Sequence, residues 1–169
     1  MNRWWLAAAL SLGTCWTAAD AAPKAIKAKD LYGLWQYVSA YQQRPDGTRF
    51  NQFGDHPQGY FAIFPNGHYS HIVLDNNLPH VASGLIKETT PAEAEAIAEG
   101  TLAHFGTFTV DERAGTFTVS IIKASFPNFD GISQTRTVTK LTDDELEYQN
   151  PVSSAGPGNV VFAVLRRVH

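Results

Sequence analysis

Cysteine is almost absent from this sequence, since Cys15 is the only one among 169 residues. Cys15 lies in an N-terminal stretch that we expect to be removed, so the mature chain would contain no cysteine. Such a protein must be stable without disulfides and cannot use a thiol as its nucleophile.

The sequence also lacks the motifs of several large enzyme classes. It has no G-x-S-x-G elbow, no phosphate loop, no dinucleotide fingerprint and no H-E-x-x-H zinc motif. His68 and His71 lie three positions apart on a predicted strand and would point to opposite faces, so we expect no metal site and no cofactor. The net charge of −3, without a run of like charges, argues against nucleic-acid binding.

The N-terminus has the pattern of a signal peptide. A short positive region precedes the apolar stretch 4–13, which is too short to span a bilayer. Small residues at the −3 and −1 positions predict cleavage after Ala21. We therefore interpret 1–21 as a signal peptide, 22–30 as a tether, and the protein as periplasmic or secreted. A lipoprotein anchored at Cys15 is the less favoured alternative, because a threonine precedes that cysteine.

The rest of the chain has the pattern of antiparallel β-structure. Aromatic residues make up 12% of the sequence, and Phe117, Val119 and Ile121 alternate with polar residues, as in a strand with one dry face. Short turn signals such as Pro65-Asn66-Gly67 separate the strands. We predict an eight-stranded up-and-down barrel over 31–168. Its strands are 31–42, 59–64, 68–74, 105–110, 116–122, 133–140, 145–149 and 160–167.

One helix is predicted, between the third and fourth of these strands. Thr90 is an N-cap candidate, Pro91 occupies the first helical position and Glu93 completes a capping box. The apolar spacing extends the prediction over 91–104, with His104 at the C-terminal end. Such a helix would plug the barrel or cover its mouth.

The two ends of the predicted sheet carry complementary residues. Gly33 and Trp35 open the first strand, and Arg167 lies near the end of the last. An arginine stacked on the tryptophan would close the barrel floor, so we assign these three residues a structural role.

Five groups of residues occur in an order and spacing that are specific when taken together. They are Leu31-Tyr32-Gly33-Leu34-Trp35 with Val38-Ser39, Arg44-Pro45-Asp46-Gly47, Gly59-Tyr60 with Pro65-Asn66-Gly67, Phe105-Gly106-Thr107-Phe108-Thr109-Val110-Asp111, and Phe126-Pro127-Asn128-Phe129. With these motifs the chain resembles the bacterial and fungal lipocalin-like domain proteins, which are relatives of the lipocalin and fatty-acid-binding barrels. The resemblance implies a small β-barrel with a cavity for an apolar or aromatic molecule. The chain differs from secreted animal lipocalins in lacking disulfides and in the inserted helix.

Tyr69 and His71 are the candidates for catalysis if the protein is an enzyme. They share one face of a strand with Val73, so an inward face would set an imidazole beside a phenol in an apolar chamber. The alternatives are that His71 faces solvent or is a core histidine bonded to a neighbour.

Aromatic and basic residues on the other strands are candidates for ligand contact. Arg136 would bind a carboxylate if it pointed inward, whereas its threonine neighbours favour an outward position. Trp35, Tyr37 and Ser39 share one predicted face. The full set of ligand-binding candidates is Tyr37, Tyr60, Tyr69, His71, Phe108, Arg136 and Tyr148.

Three functions follow from this pattern. The first is an exported barrel that binds a small hydrophobic or aromatic molecule in its interior. The second is a cofactor-independent isomerase, cyclase or lyase acting in the same cavity, which converging tyrosine and histidine side chains would favour. The third is an envelope-associated structural module without a ligand, which a filled barrel with an exposed apolar patch would favour.

Overall fold

The computed structural model describes residues 25–169, and they form a closed β-barrel. The predicted signal peptide 1–21 lies outside the described residues. Within the described residues, no helix has the length and apolarity needed to cross a bilayer. The strands are β1 (Gly33–Gln43), β2 (Arg49–Phe50), β3 (Gln58–Ile63), β4 (His68–Leu74), β5 (Thr101–Asp111), β6 (Thr116–Ala124), β7 (Ser133–Leu141), β8 (Glu145–Asn150) and β9 (Val160–Val168).

The barrel has simple up-and-down connectivity. Strands β3 to β8 each pair antiparallel with the next along the chain, and β1 pairs with both β3 and β9. The β1–β9 pairing runs from Leu34 opposite Val168 to Gln43 opposite Val160, and it closes the sheet. The predicted antiparallel eight-stranded barrel is therefore confirmed. The two-residue strand β2 pairs only with the end of β1 and adds a short flap outside the ring.

The helix α2 (Pro91–Glu99) begins as predicted but ends earlier and follows the fourth strand, β4. Thr90 accepts the Glu93 amide while the Glu93 side chain accepts the Thr90 amide, which completes the capping box. The position between strands three and four was wrong because the sequence pattern missed β2. The end at 104 was also wrong: Gly100 caps the helix, and 101–104 pair with β4 instead.

The described part of the predicted tether, residues 25–30, includes the start of a short helix. Helix α1 (Ala28–Leu31) precedes β1, and the side chains of Ile26 and Leu31 are buried at the base of the barrel. The Ile26 amide donates to the carbonyl of Glu112 in the β5–β6 turn. Two 3₁₀ turns, Ile86–Glu88 and Pro127–Phe129, complete the helical elements of the described chain.

A bulge in β1 changes which residues face the interior. The register against β9 shifts between Tyr37 and Ser39, so the inward side chains are Trp35 and Tyr37, followed by Ala40 and Gln42. Ser39 therefore does not continue the face of Trp35 and Tyr37 as the simple alternation predicted. The bulge brings Gln42 inward at the far end of the strand.

Gly33, Trp35 and Arg167 lie together at one end of the barrel, which we call the floor. The Arg167 guanidinium lies over the Trp35 ring, 4.0 Å from its centroid. It also donates to the carbonyls of Tyr32, Asp30 and Asp143. Gly33 has a φ of +128°, which favours glycine, and a Cβ there would lie 2.9 Å from Arg167 Nη1.

Arg167 should contribute more to stability than its surface neighbour. We expect Arg167→Ala to lower the free energy of unfolding by about 2–3 kcal/mol, because it removes hydrogen bonds to three carbonyls and the stacking on Trp35. Arg166→Ala removes an exposed arginine from the same strand and should cost under ~0.5 kcal/mol. Urea unfolding of both variants measures the difference, and equal losses would contradict the structural role of Arg167.

Candidate functional site

Polar side chains line the half of the barrel opposite the floor, which we call the mouth. The floor half is filled by large apolar residues such as Trp35, Ile63, Leu146 and Leu165. The inner side chains nearer the mouth are polar, and they surround a chamber of about 40 Å³. The chamber lining includes Tyr37, Gln42, His71, His104, Gln134, Arg136, Tyr148 and Asn150.

Tyr37 connects His71 to Tyr148 across the interior. The Tyr37 hydroxyl lies 2.6 Å from His71 Nε2 and 2.8 Å from the Tyr148 hydroxyl. These three residues come from β1, β4 and β8, which meet only because the barrel is closed. The second nitrogen of the His71 ring is buried and has no hydrogen-bond partner within the described residues.

A second tyrosine–histidine pair lies beside the first. The Tyr69 hydroxyl lies 2.9 Å from His104 Nδ1, and the His104 and His71 rings stack with centroids 4.4 Å apart. Tyr69 therefore hydrogen-bonds to His104 on the neighbouring strand, and Tyr37 takes the place that we expected Tyr69 to hold beside His71. His104 contributes to the site as an inward residue of β5, not as the end of a helix.

Burial and a nearby positive charge keep both histidines neutral. Burial is the main cause that lowers the pKa of His104 to about 3, and the Arg136 charge lowers it further. Burial also lowers the pKa of His71 well below its usual value, and the charges of His104 and Arg136 add to the effect. Tyr69 is affected in the opposite sense, because burial raises its pKa to about 12.

Arg136 is a buried cation that no carboxylate neutralises. Its exposed fraction is 2%, and none of the buried polar residues within 25–169 is acidic. The guanidinium lies near three aromatic rings, with its Cζ 5.1 Å from the centroids of Phe61 and Tyr148 and 5.8 Å from that of Phe117. Its Nη2 is 3.5 Å from Gln134 Oε1, while its Nε and Nη1 have no partner in the described chain.

Gln134 and Asn150 complete the polar lining. Asn150 Nδ2 donates to Gln134 Oε1 over 3.0 Å. Since Oε1 also faces the Arg136 guanidinium, the amide nitrogen of Gln134 is the end directed elsewhere, and it has no partner within the described residues. Gln134, Asn150 and Gln42 were not among the site residues predicted from the sequence.

A polar latch lies between the chamber and an outer groove. Gln52, Leu102 and Ser154 line both spaces, and the groove outside has a volume of about 680 Å³. Gln52 Nε2 donates to Ser154 Oγ and to the carbonyl of Glu99, both over 3.1 Å. The other lining residues of the groove are mostly apolar and include Phe50, Ala98, Phe126 and Ala155.

Three of the predicted ligand-binding residues, Tyr60, Tyr69 and Phe108, do not line the chamber. Tyr60 is 43% exposed on the outer face of β3, because the inner positions of that strand belong to Phe61 and Ile63. The Tyr60 side chain therefore lies on the opposite side of the barrel wall from the chamber. Phe108 is buried, but it lies toward the floor and packs edge-on against Tyr32 at 6.2 Å.

Tyr60 forms part of an apolar region on the outer wall of the barrel. Tyr60, Ile72 and Ala103 are register partners on adjacent strands, and exposed apolar residues flank them. We call this region the outer patch, defined by Val38, Tyr60, Ile72, Phe105 and Ile122.

The fold and this lining define a class of protein, the small closed antiparallel barrel with a polar chamber at one end. The family model described as a lipocalin-like domain matches residues 32–165. The chain therefore belongs to the lipocalin-like domain family. No curated protein matches the chain.

The barrel is also similar to solved structures at low sequence identity. A biogenic amine-binding protein is 13% identical with a TM-score of 0.47, covering 86% of this chain and 68% of that chain. Bovine odorant-binding protein in complex with a selenium-containing odorant is 11% identical with a TM-score of 0.43, covering 85% and 74%. A de novo designed fluorescence-activating β-barrel is 14% identical with a TM-score of 0.41, covering 83% and 96%. At these distances the ligand of this chain must be argued from its own residues.

Replacing Arg136 should stabilise the protein without ligand. Burying an unpaired charge costs several kcal/mol, and unpaired donors add about 1–3 kcal/mol each, which cation–π contacts of about 0.5–2 kcal/mol offset only in part. We expect Arg136→Met to raise the free energy of unfolding by roughly 1–3 kcal/mol in urea unfolding. Arg166→Met is the exposed control and should change little. A destabilised Arg136→Met variant would instead identify Arg136 as a structural residue.

The neutral histidines predict that stability falls in mild acid. Both have a lowered pKa in the folded protein, so between pH 7 and 5.5 the unfolded chain binds more protons than the folded one. The free energy of unfolding should then drop by about 2.5 kcal/mol for the two groups together. His104→Gln should remove about half of this drop, whereas His68→Gln, at an exposed position, should leave it unchanged. Urea unfolding at both pH values tests this. If His104→Gln and His68→Gln reduced the drop in the free energy of unfolding equally, the result would contradict the prediction.

Proposed function

We propose that the protein is an exported binding protein for a small hydrophobic or aromatic molecule. The proposal rests on one observation: a polar chamber inside the barrel adjoins a larger apolar groove outside it. Gln52, Leu102 and Ser154 border both, so a ligand that displaces this latch can use both spaces.

The volumes indicate how such a ligand would lie. The chamber of about 40 Å³ is far below the roughly 300–1,000 Å³ of sites that enclose a whole ligand. A polar head group fits there, while the apolar body of the molecule would lie in the outer groove. Apolar burial would supply most of the affinity, and the polar lining would supply orientation.

Export is supported by the sequence of residues 1–21 alone. The positive region, the short apolar stretch and the small residues before Ala22 are typical of a cleaved signal peptide. The mature protein would then begin at Ala22 and be periplasmic or secreted. Cleavage before Cys15, with a lipid attached there, is the alternative outcome.

A second candidate function is proton-transfer catalysis without a cofactor, as in an isomerase, cyclase or lyase. The two tyrosine–histidine pairs favour it, because neutral histidines within hydrogen-bond reach of phenols beside a chamber are suited to move a proton. The Arg136 charge would stabilise an enolate or a similar anion that forms on the substrate. Tyr37 and His71 would be the catalytic residues, and Tyr69 with His104 would support them.

Native mass spectrometry of the protein purified from its own cells tests both functions. We expect an intact mass that begins at Ala22 and a bound small molecule that is released on denaturation. A binding protein returns the same small mass after incubation, whereas an enzyme converts it. In the enzyme case Tyr37→Phe should slow the conversion at least about tenfold, while Tyr60→Phe, which removes an exposed hydroxyl, should not.

The same experiment has an outcome that contradicts both functions. If no small molecule is bound and a small-molecule library produces no shift, the barrel is a filled structural module. The outer patch would then be the surface to examine for a protein partner.

A further inference from the structure

We propose that the head group held in the chamber is a carboxylate, and that the ligand is a monocarboxylic acid with an aromatic or alkyl body. This inference rests on the proposed binding function and names its ligand class. It follows from three observations: the buried atoms that lack partners, the charge of the chamber, and its size.

The atoms without partners in the chamber include three that can only donate. They are Arg136 Nε, Arg136 Nη1 and the Gln134 amide nitrogen, all buried and unpaired within the described residues. The Gln134 amide is oriented by Asn150, which donates to its oxygen. A ligand that satisfies these groups must present acceptors, and a carboxylate offers two oxygens that an arginine can bind side by side.

The charge of the chamber points to the same group. Arg136 is the only charged residue among the buried residues of 25–169. Its charge contributes to the lowered pKa of His71 and His104 and acts against the burial that raises the pKa of Tyr37, so one cation acts on these three lining residues. An anion would be attracted there, whereas a protonated amine would be repelled. The amine ligand of a structurally similar barrel is therefore a poor guide to this one.

The size of the chamber limits the charged part of the ligand to a small group. A volume of about 40 Å³ suits a carboxylate, while the apolar groove beyond Gln52 and Leu102 has room for the body. An inorganic halide would meet the same donors but would leave the groove unused. The experiment must therefore separate an organic acid from a simple anion.

Isothermal titration calorimetry with three matched probes tests the proposal. The probes are 4-phenylbutanoate, 4-phenylbutan-1-ol and 4-phenylbutylamine, which share one body and differ in the head group, in halide-free HEPES buffer at pH 7.5. We expect the acid to bind roughly tenfold or more tightly than the alcohol, and the amine to bind weakest. If none of the three binds, the proposed function itself fails. If all three bind equally, the binding function stands and the carboxylate inference is overturned.

Two variants of the chamber and one exposed control test whether a preference for the acid depends on Arg136. Arg136→Gln should bring the affinity for the acid down to that of the alcohol, and Arg166→Gln, an exposed control, should leave the preference intact. Gln134→Glu supplies a carboxylate of the protein beside Arg136, and it should abolish the preference while the barrel stays folded. A preference that survives both Arg136→Gln and Gln134→Glu would place the acid elsewhere and overturn the inference.

A comparison with chloride shows whether Arg136 binds an organic acid or a simple anion. Thermal unfolding is followed with sodium chloride and with sodium 4-phenylbutanoate at equal ionic strength, for the unaltered protein and for Arg136→Gln. We expect stabilisation that depends on Arg136 with the organic acid and not with chloride. Equal Arg136-dependent stabilisation by chloride would identify a halide site and overturn the inference.

Discussion

The pairing of β1 with β9 converts an open sheet into a barrel, and every inner side chain then lies in an enclosed space. A closed sheet has no free edges, and its alternate residues must all pack within one interior. At the floor this constraint is met by apolar side chains and by Arg167 stacked on Trp35. Toward the mouth the same constraint removes polar side chains from water. Burying them costs free energy that apolar side chains at the same positions would not cost.

That cost is concentrated at Arg136. Most buried charged groups are paired with a group of opposite charge. The Arg136 guanidinium is instead surrounded by aromatic rings and one amide oxygen. Replacing it with an apolar residue would remove an unpaired charge and lose one hydrogen bond and three contacts with aromatic rings. A destabilising charge that faces a chamber is a common property of functional sites, where stability is given up for binding or catalysis. The neutral histidines His71 and His104 beside it are likewise buried polar groups that face the chamber.

The strands were predictable from the sequence because period-two alternation and turn residues depend on local chemistry. The site was predictable only in part. In β7, Gln134 and Arg136 share a face with Val138 and alternate with threonines. Because Val138 indicates the face that points into the core, this alternation predicts that Arg136 points inward. The threonines on both sides of Arg136 favoured the opposite interpretation. Leu146 indicates the inner face of β8 in the same way and would have identified Asn150.

Other features depend on contacts between distant strands and could not be read from one sequence. The bulge after Tyr37 is a register change against β9, and the contact between Tyr37 and His71 spans the barrel between strands that are not neighbours. His104 was assigned to a helix because the alanine-rich spacing continued past Gly100. Pairing with β4 outweighed that local preference and moved His104 into the site.

The site depends on an unpaired cation, Arg136, that faces the chamber of a closed barrel. A crystal structure of the unaltered protein, grown in halide-free solution, tests this most directly. We expect the Arg136 guanidinium to lie inside the barrel, with no carboxylate of the protein within hydrogen-bond reach of its Nε or Nη1. A guanidinium turned out to solvent, or paired with a carboxylate of the protein, would contradict it.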